Sequence, residues 1–145
     1  MKNRVYIASD HAGFDLKEAI VSNNKDLILD LGTKSNERVD YPSFASILIE
    51  NMKNDKKSKG ILICGTGNGM AITANRHNHI RAGLAFNEEV TKLIRQHNDA
   101  NILVLPGRFI DVHEALKCVD IFLSTELQFD QLIYNLLLKI LLQNV

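Results

Sequence analysis

An apolar strand that ends in a cysteine and leads directly into a glycine-rich loop is the most constraining feature of this sequence. The segment 60–75 is GILICGTGNGMAITAN. Its apolar run at 61–63 is typical of a parallel strand that is covered on both faces. Cys64 stands where this strand should end, glycines alternate with polar residues at 65–69, and a helical pattern begins at about Met70. A strand, a tight loop and a helix in this order predict an α/β fold.

The same segment predicts a functional site. In an open α/β sheet, ligands bind beyond the carboxyl ends of the strands, where loops meet helix N-termini. Backbone N–H groups and the positive end of a helix dipole favour an anion there, and a thiol in such surroundings ionises more easily than a free cysteine. We therefore interpret Cys64 as a nucleophile or base beside an anion-binding loop, in preference to a small core residue.

The rest of the chain alternates between β-rich and helical segments, which predicts a parallel sheet with helices on both faces. Besides the strand before Cys64, strands are expected at residues 4–8, 26–31, 80–85 and 102–105. Helices are expected at residues 14–22, 43–52, 70–77, 88–96 and 112–123. With 145 residues and no internal repeat or linker, the chain is expected to form a single domain, residues 1–145.

Composition argues against several classes of function. Lys and Arg number 17 against 17 Asp and Glu, so the net charge gives no reason to expect binding to nucleic acid or to an acidic membrane. Two cysteines form no disulfide framework and indicate a reducing, cytoplasmic location. The sequence has no CxxC or HExxH motif, so no metal is expected. We also expect neither a signal peptide nor a membrane span.

The C-terminal segment 128–145 carries a wide apolar stripe at helical spacing. Its main members are Phe129, Leu132, Ile133, Leu136, Leu137, Ile140 and Leu141. A helix with such a broad apolar face needs a large partner surface. That surface is either the helix's own domain or a second subunit. We favour a subunit interface because the sheet already has enough helices to cover it.

Further candidate site residues lie next to other strands. Asp10 and His11 follow the first strand and should lie at the same edge of the sheet as the thiol, where a capping role is the alternative. His97 and Asn98 precede the fifth strand and should lie at the opposite edge. If they are catalytic, they are expected to serve the site of a neighbouring molecule. Arg108, which follows a Pro-Gly pair, is a candidate anion clamp.

Several motifs occur together in a fixed order along the chain. They are ASDHAG (8–13), DYP (40–42), ICGTGNG (63–69), AN (74–75), RQHNDAN (95–101) and GR (107–108). From about residue 4 to 124, the chain thereby resembles the type B ribose-5-phosphate isomerases, in a wider family that includes galactose-6-phosphate isomerase subunits. The resemblance implies a three-layer α/β/α Rossmann-like sandwich with a five-stranded parallel sheet and a C-terminal helix. It also implies a homodimer or tetramer with active sites between subunits, and no metal or organic cofactor.

The reaction that the resemblance implies is the interconversion of ribose 5-phosphate and ribulose 5-phosphate through a cis-enediolate, in the pentose phosphate pathway. By position, Cys64 matches the base that moves a proton between C2 and C1. Thr66 matches its polar helper, and His97 matches the residue that opens the furanose ring. The loop whose N–H groups hold the enediolate oxygen corresponds to Gly65, Gly67, Asn68 and Gly69.

Substrate contacts also follow from the resemblance. Asp10 and Asn98 match contacts to sugar hydroxyls, and His11 and Arg108 match contacts to the phosphate. The C-terminal segment in this family usually carries arginines that clamp the phosphate, whereas the tail of this chain has no arginine and only Lys139. Either the remaining contacts suffice, or phosphate binding is weak, or the chain has changed substrate or lost activity.

The sequence is also compatible with other functions. A galactose-6-phosphate isomerase-type subunit would use the same chemistry on another sugar phosphate. A nucleotide-binding module would normally carry its glycine loop in the first βα turn, whereas here the loop follows the third strand. A thiol hydrolase would need Cys64 hydrogen-bonded to a histidine. A non-catalytic sugar-phosphate-binding protein is the alternative suggested by the missing arginines.

Overall fold

The computed structural model describes residues 3–143, which form a single domain built on a five-stranded parallel sheet. The strands are β1 (Val5–Ser9), β2 (Ile28–Asp30), β3 (Lys59–Cys64), β4 (Ala82–Leu84) and β5 (Ile102–Pro106). Their order across the sheet is β2-β1-β3-β5-β4, and every neighbouring pair is parallel. The glycine loop therefore follows the central strand, next to both β1 and β5.

Six α-helices complete the fold. They are α1 (Phe14–Asn23), α2 (Tyr41–Met52), α3 (Asn68–Ala74), α4 (Glu88–Gln96), α5 (Val112–Ser124) and α6 (Gln131–Leu142). Apolar residues of α1, α4 and α5 pack on one face of the sheet, and those of α2 and α3 pack on the other. The prediction of a three-layer α/β/α Rossmann-like sandwich with a C-terminal helix is confirmed.

The core follows from the alternation of side chains along the central strands. Ile61 and Ile63 point into the cluster formed with α1 and α5, whereas Leu62 points into the cluster formed with α2 and α3. All five residues of β1 and of β5 are buried. A strand buried on both faces is apolar throughout, which is why these segments are recognisable in the sequence.

Some predicted element boundaries are wrong. β2 and β4 have three residues each, and both end while their neighbours β1 and β5 continue, to Ser9 and Pro106. α3 begins at Asn68, earlier than predicted, since Gly67 precedes it in a left-handed conformation (φ 81°). It ends at Ala74, and the side chain of the following Asn75 then bonds the backbone of Ala82 in both directions at 2.8 and 2.9 Å.

The register of the strands fixes which residues share an edge. Gly60 is opposite Ile102 at one end of the β3–β5 pair, and Cys64 is opposite Pro106 at the other. At about 3.3 Å per residue, these two ends are roughly 13 Å apart. Loops that follow β1, β3 and β5 therefore meet at one edge, and the turn before β5 lies at the opposite edge.

Helix α6 packs differently from the others. The tail is helical as predicted, but the helix begins after Asp130, whose carboxylate caps it, so Phe129 lies outside. None of its residues is buried, and Leu132 and Leu142 are about 70 % exposed. The chain leading into it is tied to α4 by a hydrogen bond from Gln128 N–H to the Gln96 carbonyl (3.1 Å). In residues 3–143, no helix is long and apolar enough to cross a membrane.

Candidate active site

The loops after β3 and β5 are hydrogen-bonded to each other next to Cys64. The N–H of Gly107 donates to the Cys64 carbonyl (2.8 Å), and the N–H of Arg108 donates to the Gly65 carbonyl (3.0 Å). The loop after β1 joins them, since Asp10 N–H donates to the carbonyl of the residue before Cys64 (3.2 Å). The structure thus brings together three of the predicted site segments around the thiol.

Two glycines of the loop are required by close packing. Gly67 has φ 81°, and a Cβ there would collide with the side chain of Leu84. A Cβ on Gly69 would lie only 2.6 Å from Cζ of Tyr41. At Gly65 a Cβ would find ordinary contacts, so this glycine is not required by space. The loop is therefore closely packed at Gly67 and Gly69, and within it Thr66 Oγ1 accepts a hydrogen bond from the Asn68 N–H (3.2 Å).

Cys64 itself is 5 % exposed and packs in the cluster on the α2 and α3 face. The hydrogen bonds described for residues 3–143 include none between its thiol and a histidine, so the arrangement of a thiol hydrolase is not assembled in one chain. The other thiol, Cys118, is fully buried in α5. Burial raises the pKa of Cys118, and a hydrogen bond with Thr91 offsets only part of this.

Asp10 and His11 lie beside the thiol loop but are partly engaged in local structure. Asp10 is 6 % exposed, and its Oδ1 accepts a hydrogen bond from the Gly13 N–H (3.1 Å), capping a 3₁₀ turn at His11–Gly13. Nδ1 of His11 is 3.3 Å from both the backbone nitrogen and the carbonyl oxygen of Val39. The capping role considered for Asp10 is therefore real, and it holds this carboxylate at the edge of the sheet.

A pocket of about 410 Å³ opens next to these two side chains. It is lined by Asp10, His11, Arg38, Val39, Asp40, Tyr41, Pro42 and Ser43. No site role is predicted for the segment 38–43 from the sequence, although its DYP motif belongs to the family pattern. Tyr41 is the most informative addition, because its ring both lines this pocket and faces Gly69 of the loop.

His97 and Asn98 are at the opposite edge of the sheet, as their position before β5 predicted. His97 is the C-cap of α4, and both side chains are exposed. They line a groove of about 720 Å³ along α6, which also includes Asp130 and Lys139. Within one chain, the structure brings His97 and Asn98 together with the tail helix but not with Cys64.

The side chain of Arg108 lies across the start of the glycine loop. Its Nη1 is 3.4 Å from the position that a Cβ on Gly65 would occupy. Arg108 is exposed, so its guanidinium is available to an anion at this edge. Among residues 3–143, no group of three or more His, Cys, Asp or Glu side chains is arranged to hold a metal ion.

Comparison with known proteins assigns the family. Residues 5–133 match the family model described as Ribose/Galactose Isomerase. The chain belongs to this family. It is 40 % identical over 132 residues to the probable ribose-5-phosphate isomerase B of Mycoplasma pneumoniae, covering 88 % of this chain and 87 % of the relative.

Solved structures of ribose/galactose isomerase family relatives have the same fold. The ribose 5-phosphate isomerase of Thermotoga maritima superposes with a TM-score of 0.90 at 42 % identity, covering 97 % of this chain and 98 % of its own. Ribose-5-phosphate isomerase B from Mycoplasma genitalium, solved with bound ribulose-5-phosphate, gives a TM-score of 0.92 at 36 % identity. That alignment covers 99 % of this chain and 97 % of the relative.

Proposed function

We propose that this chain is an aldose–ketose isomerase that interconverts ribose 5-phosphate and ribulose 5-phosphate through a cis-enediolate. The observation that carries the proposal is the position of Cys64, at the end of the central strand and beside a closely packed glycine loop. Family membership supports it, as does the relative solved with bound ribulose-5-phosphate. The reaction would be a step of the pentose phosphate pathway in the cytoplasm.

In this mechanism, the Cys64 thiolate removes the proton from C2 of the open-chain aldose and returns it to C1. The hydroxyl proton on the C2 oxygen passes to the C1 oxygen, so the C1 carbonyl becomes a hydroxyl, the C2 hydroxyl becomes a carbonyl, and no redox partner is needed. A proton α to a carbonyl is only weakly acidic, so the base alone is insufficient. Backbone N–H groups of the loop would stabilise the enediolate oxygen, at about 3–4 kcal/mol per well-placed donor. A positioned base adds on the order of 10²–10⁴ in rate.

The loop residues would have distinct parts in this step. Gly65, Gly67 and Gly69 would offer backbone N–H groups to the enediolate oxygen. Asn68 begins α3, and its N–H donates to Thr66 Oγ1 (3.2 Å), a bond it would exchange for one to the enediolate. Thr66 is exposed beside the thiol and would act as the polar helper of the base. The buried carboxylate of Asp10 would accept hydrogen bonds from sugar hydroxyls, because its second oxygen is not used by the cap.

Opening of the furanose ring is assigned to His97, with Asn98 contacting a sugar hydroxyl. Because these residues lie roughly 13 Å or more from Cys64 along the strands, they would act in the site of a second copy. The assembly would then be a homodimer, or a tetramer of dimers, with active sites between subunits. The unburied apolar helix α6 supports this, since a broad apolar face without a partner in its own domain favours association.

Phosphate binding is assigned to His11 and Arg108. Arg108 lies beside Gly65, so its guanidinium would have to reach the phosphate on C5, at the end of the open chain away from the reacting C1 and C2. The tail of this chain has Lys139 and no arginine. A lysine contacts phosphate as a point charge and does not form the bidentate pair of an arginine, so we expect a higher KM for ribose 5-phosphate than an arginine clamp would give.

The test is the rate of ribulose 5-phosphate formation from ribose 5-phosphate by the purified chain, without added metal. Cys64→Ala should abolish turnover, whereas Cys118→Ala, which removes a thiol from the core, is the matched control and should retain it. Turnover of galactose 6-phosphate but not ribose 5-phosphate would reassign the substrate. Saturable binding of ribose 5-phosphate with no turnover would identify a binding protein and refute the proposal.

A further inference from the structure

The turn that carries His97 and Asn98 has an unusual backbone. Asp99, which follows them, has φ 47°, the left-handed region that residues other than glycine seldom adopt. Aspartate and asparagine tolerate this region better than most residues because their short side chains can form local hydrogen bonds. A turn of this kind is stable only when its surroundings hold it in place.

Two arginines donate hydrogen bonds to Asp99. Nη1 of Arg95, in the last turn of α4, donates to Asp99 Oδ1 at 3.0 Å. Nη2 of Arg81, which lies just before β4, donates to Asp99 Oδ2 at 3.0 Å, and its Nε donates to the Asp99 carbonyl at 3.0 Å. Both carboxylate oxygens and the backbone carbonyl of one residue are therefore satisfied by two guanidinium groups.

Each arginine is itself anchored elsewhere in the fold. Arg95 is 5 % exposed, and it also donates to the carbonyls of Ala100 (2.7 Å) and Thr125 (3.0 Å), which ties the turn to the end of α5. The backbone N–H of Arg81 donates to Asn101 Oδ1 at 2.7 Å. The turn is thus connected to α4, α5, β4 and β5 at once.

The side chains of His97 and Asn98 take no part in this hydrogen-bond network. The hydrogen bonds and ion pairs described for residues 3–143 include none made by the side chain of His97 or of Asn98. A fixed backbone with free, exposed polar side chains suits groups that act on a ligand, because their positions are set before binding.

We propose that Arg81, Arg95 and Asp99 form a clamp of positioning residues that fixes the His97 turn for ring opening. The inference rests on the proposed function and assigns a role to three residues that do not touch the substrate. The clamp acts through His97, so it should matter for the ring-opening step and not for proton transfer at Cys64.

Ring opening and proton transfer can be measured separately by choosing between ribose 5-phosphate and ribulose 5-phosphate as the substrate. Ribose 5-phosphate is a furanose whose ring must open before the proton moves. Ribulose 5-phosphate has its carbonyl at C2 and its C5 oxygen esterified, so it cannot close a furanose ring and stays open-chain. Exchange of its C1 proton with deuterium from solvent, followed by NMR, therefore reports on the base without requiring His97.

The test variant is Asp99→Gly, which removes both ion pairs while a glycine adopts φ 47° without strain. At saturating substrate, we expect kcat for ribose 5-phosphate to fall at least tenfold, while C1 exchange of ribulose 5-phosphate changes by less than threefold. His97→Ala should give the same pattern, and adding Asp99→Gly to it should have no further effect. Asp99→Asn, which keeps an acceptor, should recover part of the rate.

The matched control is Lys117→Met, which breaks an ion pair with Glu88 at the other end of α4 and should leave both rates unchanged. An unchanged kcat in Asp99→Gly would overturn the clamp. So would an equal loss of both reactions, or losses that multiply in the double variant with His97→Ala. Absence of both reactions in the unmodified protein would instead refute the proposed function, and the clamp with it.

Discussion

The buried ion pair between Lys17 and Asp30 allows a sharp prediction about stability. Lys17, in α1, is 0 % exposed, and its Nζ is 2.7 Å from Asp30 Oδ2 and 2.7 Å from Glu18 Oε1. The side chain of Asp30 is 18 % exposed; it also accepts the Gly32 N–H (2.9 Å) and lies 3.5 Å from Lys34 Nζ. The two partners are therefore unequal, because Asp30 has other contacts that compensate its charge and Lys17 has few.

This inequality predicts different costs for the two single substitutions. Asp30→Asn leaves a wholly buried ammonium group with Glu18 and the face of the Phe14 ring as its remaining partners and should lower the free energy of unfolding by about 3 kcal/mol. Lys17→Met leaves Asp30 bonded to Gly32 and near Lys34, and the new side chain is apolar, so we expect a loss of about 1–2 kcal/mol. In the double variant no charge is stranded, so its loss should be at least about 1.5 kcal/mol smaller than the sum.

The assay is denaturant unfolding of all four proteins at one protein concentration, since oligomerisation makes apparent stability depend on concentration. In thermal melts of the same proteins, a loss of about 3 kcal/mol would lower Tm by about 6–12 °C for a chain of this length. Lys53→Met, which removes a surface ion pair with Glu50 at 3.8 Å, is the control and should change the free energy of unfolding by less than about 0.5 kcal/mol. Equal losses from the two single substitutions, or strict additivity, would refute the reasoning.

Three further predictions follow from the geometry. Gly67→Ala should lower the free energy of unfolding by about 1–3 kcal/mol, because of its positive φ and the collision with Leu84, whereas Gly65→Ala should cost less than about 1 kcal/mol; equal effects in thermal melts would contradict this. Deleting residues 128–145 should dissociate or precipitate the protein, and a soluble oligomer with an unchanged number of subunits in light scattering would show that the tail is not an interface. Burial acts to raise the pKa of Asp30, but hydrogen bonds from Lys17 and Gly32 outweigh it and the net pKa is lowered. The stabilisation by Asp30 is therefore complete above its unfolded pKa of about 3.9 and is lost as pH falls through the lower folded value. The acid-unfolding curve of Asp30→Asn should lack this pH-dependent loss of stability.

The sequence was sufficient to predict the central part of the fold. Strands β1, β3 and β5 are buried on both faces, so their residues are almost uniformly apolar and stand out from their surroundings. The edge strands β2 and β4 were predicted too long, because their apolar runs extend into segments that leave the sheet while β1 and β5 continue. The helices were found by periodicity, but some of their ends were not. α2 begins at Tyr41, before the predicted residue 43, and α3 begins at Asn68, after the left-handed Gly67, and ends at Ala74, before the predicted residue 77.

The predicted placement of the candidate site residues at two opposite edges also followed from the sequence. In a parallel sheet, a residue after a strand and a residue before a strand lie at opposite edges, so Cys64 and His97 could be placed without coordinates. Their roles in catalysis stay predictions. The features of the site that could not be predicted from the sequence are contacts between distant segments. Examples are the ring of Tyr41 against Gly69 and the two arginines that bind Asp99.

The sequence alone thus determined the α/β alternation, the position of the thiol loop after a central strand and the helical character of the tail. These features follow from the spacing of apolar residues and from the positions of glycines. Both can be read within a single segment of the sequence. The tertiary structure decided which glycines of the loop are obligatory, how the His97 turn is held, and that α6 buries none of its residues against its own domain. Such properties depend on where side chains far apart in the chain meet, and no local pattern encodes that.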